Sequence, residues 1–186
     1  MKTPDDQVTI ILRAAENTKE YDFLFKDLIL VTFATLCYLR RRDQILLLKK
    51  EKGLFGEGKW NAPGGKLVAG ETPEDGTKRE ILEETGLKIS KLRFHGLLNF
   101  YLGLTRKLDQ VVLVFSSEMI TGKLRRSREG ELRWFSTNEI PFSEMWEDDQ
   151  LWLPLLLKGR NFVGDFFFTD NYGAHRPQTP SHTLTP

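Results

Sequence analysis

The sequence has one cysteine, Cys37, so no disulfide can form within the chain. A reducing cytoplasm is the expected setting. No stretch approaches the roughly 20 apolar residues that a membrane span requires. The opening residues, MKTPDDQVTIILRAAENTKEYDF, carry acids early and lack the long apolar core of a signal peptide. Net charge is also scarce. Lys and Arg total 27 against 26 for Asp and Glu, a balance of +1 that does not advertise a nucleic-acid polymer or an anionic membrane as partner. There is no internal repeat. What remains is an ordinary globular composition, 40% hydrophobic and 28% charged, over 186 residues. That length suits one well-cored domain with extensions, and a monomer is expected.

Residues 1–28 are of mixed polarity and read as an N-terminal extension. The run Ile29–Leu39 is rich in β-branched and aromatic residues, and Gln44–Lys50 carries Ile45-Leu46-Leu47-Leu48. With Arg40-Arg41-Arg42-Asp43 between them, the two runs read as strands joined by a charged turn. Glycine-punctuated loops follow at 53–58 and 61–65. Thr72-Pro73-Glu74-Asp75 has the chemistry of a helix start, and Gly86 that of a stop, about three turns later. Leu92–Tyr101 and Gln110–Ser116 are strand-like, the second almost continuously apolar, as suits a strand buried on both faces. Trp134-Phe135 and Phe162–Phe168 are further strand candidates. Asp148–Lys158 is expected to be helical, with Pro154 predicting a kink or a late start. The tail, 173–186, has too few apolar residues to fold and is expected to be disordered. The expected class is α/β: a mixed central sheet sandwiched by helices, spanning 29–172.

One helix face carries the chemistry. Glu80, Glu83 and Glu84 stand at i, i+3 and i+4, so their side chains share one side of a turn. Like charges so placed repel, which is accepted either on a solvated face or around a cation. Oxygen donors without neighbouring His or Cys point to Mg²⁺, or Mn²⁺, rather than Zn²⁺. Arg79 is positioned to hold a carboxylate bidentately. His95, by contrast, lies within a strand and is expected to pack or hydrogen-bond.

From Gly65 the chain reads GKLVAGETPEDGTKREILEETGL. This matches the Nudix box, G-x5-E-x7-R-E-U-x-E-E-x-G-U with U apolar, at Gly65, Glu71, Arg79, Glu80, Ile81, Glu83, Glu84, Gly86 and Leu87. The chain therefore resembles the Nudix hydrolases. The resemblance implies an α/β/α sandwich and Mg²⁺-dependent cleavage of a diphosphate linkage. It makes Glu80, Glu83 and Glu84 metal ligands, helped by the carbonyl of Gly64 or Gly65, and Glu71 and Arg79 structural. Either Glu84 or Glu80 would be the general base.

Outside the box, the segments GLFGEGKWNAPGGK, EIPFSEMWEDDQLWLPLLL and FVGDFFF are similar to the animal-type 8-oxo-dGTP diphosphatases. That resemblance implies a purine pocket built from Asn61, Trp146, Asp148 and Asp149, further lined by Phe55, Phe100, Thr35 and Leu36, with Glu129 as an additional carboxylate near the metals. Trp146 can stack on a purine, and an Asp pair sharing one proton can read either a lactam or an amidine edge. The implied partner is a small-molecule nucleotide: 8-oxo-dGTP, with 2-hydroxy-dATP as a second substrate. Another nucleoside diphosphate derivative, such as ADP-ribose, a dinucleoside polyphosphate or an alkylated purine triphosphate, is the alternative, and a non-catalytic nucleotide-binding module a more distant one. Ala62-Pro63 departs from the more glycine-rich pair of that family, and the loose match around Lys49–Gly53 assigns no phosphate-binding lysine.

Overall fold

The computed structural model describes residues 31–102, 107–168 and 183–185. The N-terminal extension, 1–28, and most of the tail lie outside them. Among the described residues, ten strands and two α-helices follow in order, with a 3-10 turn at Phe142–Glu144: β1 (Thr32–Arg41), β2 (Gln44–Lys50), β3 (Trp60–Asn61), α1 (Pro73–Thr85), β4 (Leu87–Ser90), β5 (Arg93–Leu102), β6 (Lys107–Ser117), β7 (Met119–Gly122), β8 (Gly130–Ser136), α2 (Asp149–Leu157), β9 (Phe162–Phe168) and β10 (Thr183–Thr185). The main sheet runs β10-β9-β5-β6-β1-β2-β3, with β8 also on β2, while β4 and β7 pair only with each other. Pairings β1/β6 and β5/β9 are parallel and the others antiparallel, so the sheet is mixed as expected.

Strand alternation places two apolar clusters on the two faces of this sheet. Ala34, Tyr38, Ile45, Leu47, Val112 and Val114 join Trp152, Leu153 and Leu156 of α2. Cys37, Leu39, Leu46 and Phe115 join Ile81 of α1. Because each face is covered by a helix, the strands read as nearly continuous apolar runs.

α1 begins and ends as its sequence predicts. The Thr72 hydroxyl oxygen accepts the Asp75 N–H at 3.2 Å, Pro73 occupies the first turn, and Gly86 closes the helix at φ 73° with its N–H on Leu82 O at 2.9 Å. α2 starts at Asp149 and carries Pro154 in its interior, so the helix does not wait for the proline. Burial of Trp152, Leu153 and Leu156 on the sheet offsets the lost intrahelical bond.

The first two runs are strands joined by a charged turn, as expected, with Arg40↔Ile45 and Arg41↔Gln44 paired beside it, after which the strands separate. The loop after β3 fills the gap, with Cys37 N–H donating to Pro63 O, Thr35 N–H to Gly65 O and Leu67 N–H to Phe33 O, each at 2.9 Å. One expectation is corrected: the tail is not wholly without structure. Thr183–Thr185 add to β9 as an antiparallel strand, which requires only backbone groups and so needs no apolar content.

Candidate active site

The wedge of residues 63–67 between β1 and β2 brings the box loop against α1. An added Cβ at Gly65 would lie 2.5 Å from the Glu80 carboxylate, so only glycine lets that side chain pack here. Gly64 donates its N–H to Glu84 Oε2 at 2.7 Å. The Gly65 carbonyl accepts from Thr35, which leaves one lone pair for another partner.

The three glutamates do not converge on one point. Glu84 is buried on the sheet side of α1 with Thr77 and Ile81. Its Oε1 accepts Lys50 Nζ at 2.8 Å, and Lys50 also hydrogen-bonds Glu129 Oε2. Burial pushes the Glu84 carboxyl up to about 7, against the pull of Lys50 and the Gly64 N–H. Glu80 lies beside Gly65 and accepts Arg79 Nη1 at 2.7 Å. The Glu83 side chain is 61% exposed and meets the same nitrogen at 3.4 Å. Arg79 directs the rest of its fork at Glu71 and the Lys66 carbonyl. Glu129 leads into β8, and its N–H is taken by the buried Ser127 hydroxyl at 3.1 Å.

Beside these carboxylates opens a cavity of about 430 Å³. Glu80, Gly65 and Glu129 are among its lining residues. Asn61, Trp146, Asp148, Asp149, Thr35, Leu36, Phe55 and Phe100 line it as well. Every residue expected in the purine pocket thus borders one space. Glu83, Glu84, Glu71 and Arg79 stand outside its lining.

Asp148 and Asp149 are both buried, at 5% and 2% exposure. Asp148 accepts the Trp152 indole N–H at 3.3 Å, one helical turn on, and Asp149 accepts the Trp146 N–H at 3.0 Å. Burial pushes Asp148 up to about 6. Burial, and then the charge of Asp148, push Asp149 far above the usual carboxylate range. Both carboxyls are thus held above the ordinary range, by burial and, for Asp149, by the neighbouring charge of Asp148. Asn61 Oδ1 accepts its neighbour's Ala62 N–H at 2.7 Å. Phe55, 62% exposed, stacks on Trp146 at 5.4 Å and 23°, while Lys59 Nζ lies 5.1 Å from the same indole and donates to Met145 O at 3.0 Å.

Lys50, Lys59 and Trp152 belong to this site and were not singled out from the sequence. Trp152 had a signal, its i+4 spacing from Asp148. The two lysines had none, since a lysine closing a strand or loop is usually solvated.

The NUDIX domain family matches residues 31–156. The chain belongs to this family. Nudix hydrolases generally use divalent metal ions. The chain is 42% identical over 137 residues to a protein from Mus musculus named oxidized purine nucleoside triphosphate hydrolase, covering 73% of this chain and 86% of that protein. A Danio rerio protein of the same name is 42% identical over 135 residues, 72% of this chain and 85% of its own length. Among solved structures, a MutT protein from Bacillus halodurans aligns with TM-score 0.69 at 27% identity, over 82% of this chain and 97% of that one. Among the described residues no helix is long and apolar enough to cross a membrane.

Proposed function

We propose that this Nudix chain hydrolyses oxidised purine nucleoside triphosphates to the monophosphate and pyrophosphate, with 8-oxo-dGTP as first substrate and 2-hydroxy-dATP as second, and so cleanses the cytoplasmic nucleotide pool. The observation that carries this reading is that the buried Asp148–Asp149 pair and the carboxylates Glu80 and Glu129 line one and the same cavity. A base and a phosphate chain have to be held at once, and the cavity offers chemistry for each.

The Mus musculus and Danio rerio relatives, whose names state this activity, support the same reading. An Asp pair sharing one proton offers an acceptor and a donor together, which suits the altered edge of an oxidised purine, and the upward shift of both carboxyls supports such sharing. Asn61 Oδ1 accepts one bond from Ala62, which leaves its second lone pair and the amide nitrogen free to read a base. Trp146 with Phe55 provides an aromatic platform for the ring.

Glu80, Glu83, Glu84 and Glu129 supply only hard oxygen donors, fitting Mg²⁺ with Mn²⁺ as substitute. Among the described residues no three acidic, His or Cys side chains already enclose a metal site. That suits Mg²⁺, which is commonly held by one or two carboxylates together with water and substrate phosphate. The Lys50 ammonium between Glu84 and Glu129 shows that a positive charge is accommodated there. When bound, the cation would screen phosphate charge and activate water. Glu84 or Glu80 then takes the proton of the attacking water. The substrate is a free nucleotide, and the protein acts as a monomer.

The test is pyrophosphate release from 8-oxo-dGTP and dGTP side by side with Mg²⁺, with Glu84→Gln as control. Preference for the oxidised nucleotide, lost in the variant, is expected. Turnover of neither, with turnover of ADP-ribose or a dinucleoside polyphosphate, would overturn the substrate assignment.

A further inference from the structure

Lys50 closes β2 and turns its ammonium inward. Nζ stands 2.8 Å from Glu84 Oε1 and hydrogen-bonds Glu129 Oε2, so one cation joins carboxylates from α1 and from the loop before β8. The side chains of Lys50 and Glu84 are only 20% and 3% exposed. Glu84 Oε2 is already taken by the Gly64 N–H at 2.7 Å. Both Glu84 oxygens therefore have donors, and the buried charge is compensated without any metal. Arg79 serves Glu80 and Glu83 in the same way from the outer side of the helix. The acidic cluster is thus partly compensated by two of the chain's own cations, and the inner one lies on oxygens that the metal would need.

We propose that Lys50 is a tethered counter-ion that holds Glu84 and Glu129 when no divalent cation is bound and must withdraw for that cation to bind, so that Lys50 sets the enzyme's metal affinity. This rests on the metal-dependent reading of the site given above. Two cations drawn to the same carboxylate oxygens repel strongly in a partly buried setting. Linkage makes the effect reciprocal: whatever Lys50 takes from metal affinity, the metal takes from the Lys50 ion pair. Lys50 is a positioning residue in this scheme, acting through Glu84 and Glu129.

The experiment measures Mn²⁺ binding to the full chain at pH 8 without nucleotide, by the loss of the free-ion electron paramagnetic resonance signal. Wild type, Lys50→Gln and Lys50→Arg are compared. Lys50→Gln should bind Mn²⁺ on the order of tenfold more tightly than wild type. Lys50→Arg, which keeps the charge, should stay near wild type. Equal or weaker binding by Lys50→Gln overturns the proposal and leaves metal-dependent hydrolysis standing. A second measurement needs no variant. The rate of Lys50 acetylation by a water-soluble acylating reagent, read by mass spectrometry, should rise severalfold when saturating Mg²⁺ frees the amine; an unchanged rate overturns the proposal. The proposal stands independently of the substrate if both shifts occur and 8-oxo-dGTP is not hydrolysed.

Discussion

Arg79 grips Glu71 with both arms of its guanidinium, Nε to Oε2 at 3.0 Å and Nη2 to Oε1 at 2.7 Å, while Nη1 reaches Glu80 at 2.7 Å. A planar fork makes this possible and an ammonium cannot reproduce it. Arg79→Lys is therefore expected to keep the charge and lose the geometry. Stability should fall by only about 1 kcal/mol, because the Arg79 side chain is 30% exposed. Turnover should fall further, on the order of tenfold to a hundredfold, because Glu80 loses its anchor. Thermal melts alongside steady-state kinetics check the split, and an equal loss in both would contradict it.

The two adjacent box glycines should respond differently to alanine. At Gly65 the new Cβ meets the Glu80 carboxylate at 2.5 Å, and a side-chain end can move. Gly65→Ala should fold normally and lose most activity. At Gly64 the Cβ would lie 2.1 Å from the Thr35 carbonyl oxygen, part of the sheet backbone. Gly64→Ala should cost roughly 3 kcal/mol or more and unfold at clearly lower temperature.

Asp148 carries a stability cost that removal should reveal. Its folded pKa, about 6, lies above the ordinary 3.8, so between these values the folded chain binds a proton that the unfolded chain releases. Stability attributable to this group is present at low pH and is lost as pH rises through about 6. Asp148→Asn is uncharged and should raise the melting temperature of the ligand-free protein by several degrees at pH 8, with little change near pH 4. The same variant should lose at least about tenfold in turnover of 8-oxo-dGTP. Melting curves across pH, with and without the substitution, decide it.

His95 should produce the opposite slope. It is fully buried with Nε2 at 2.8 Å from Ser116 Oγ, and burial pushes it down to about 4 from 6.5. Between those values the unfolded chain takes up a proton that the folded chain refuses, so stability falls as pH drops. At about 1.4 kcal/mol per pH unit, the loss by pH 5 is on the order of 2 kcal/mol. His95→Gln should flatten the melting temperature between pH 6.5 and 5, and an unchanged slope would refute this source.

What the sequence discloses and what it hides divide along physical lines. α1 is legible because its signals are local: Thr72 and Pro73 open it and Gly86 closes it, each through contacts within one turn. β6 is legible because burial on both faces leaves an unbroken apolar run. β4 and β7 are hidden, for four residues each are too few to show a period and their partnership spans more than thirty positions. The parting of β1 from β2 is hidden for a related reason. Both strands are apolar along their length, and only the later loop at 63–67 decides what lies between them. In the site, Asp148 and Asp149 are recognisable as a pair, but a dipeptide at a helix start gives no measure of burial, which comes from Trp152, Trp146 and the floor of strands beneath. Lys50 is invisible because nothing near it in the chain distinguishes it from Lys49 beside it, whose ammonium pairs instead with Glu144.

β1 is read twice, once by each helical layer: Ala34, Leu36 and Tyr38 address α2, while Cys37 and Leu39 address α1. One residue gained or lost within this strand would exchange the two sets, turning the Tyr38 hydroxyl toward Ile81 and moving Thr35 off the backbone bond that seats Gly65. The cavity wall and the carboxylate helix would fail together from a single shift, though no residue of either had changed. β1 is the part of the molecule least able to change length, whereas the exposed 53–58 loop, tied to neither cluster, can absorb an insertion and still leave both helices in place.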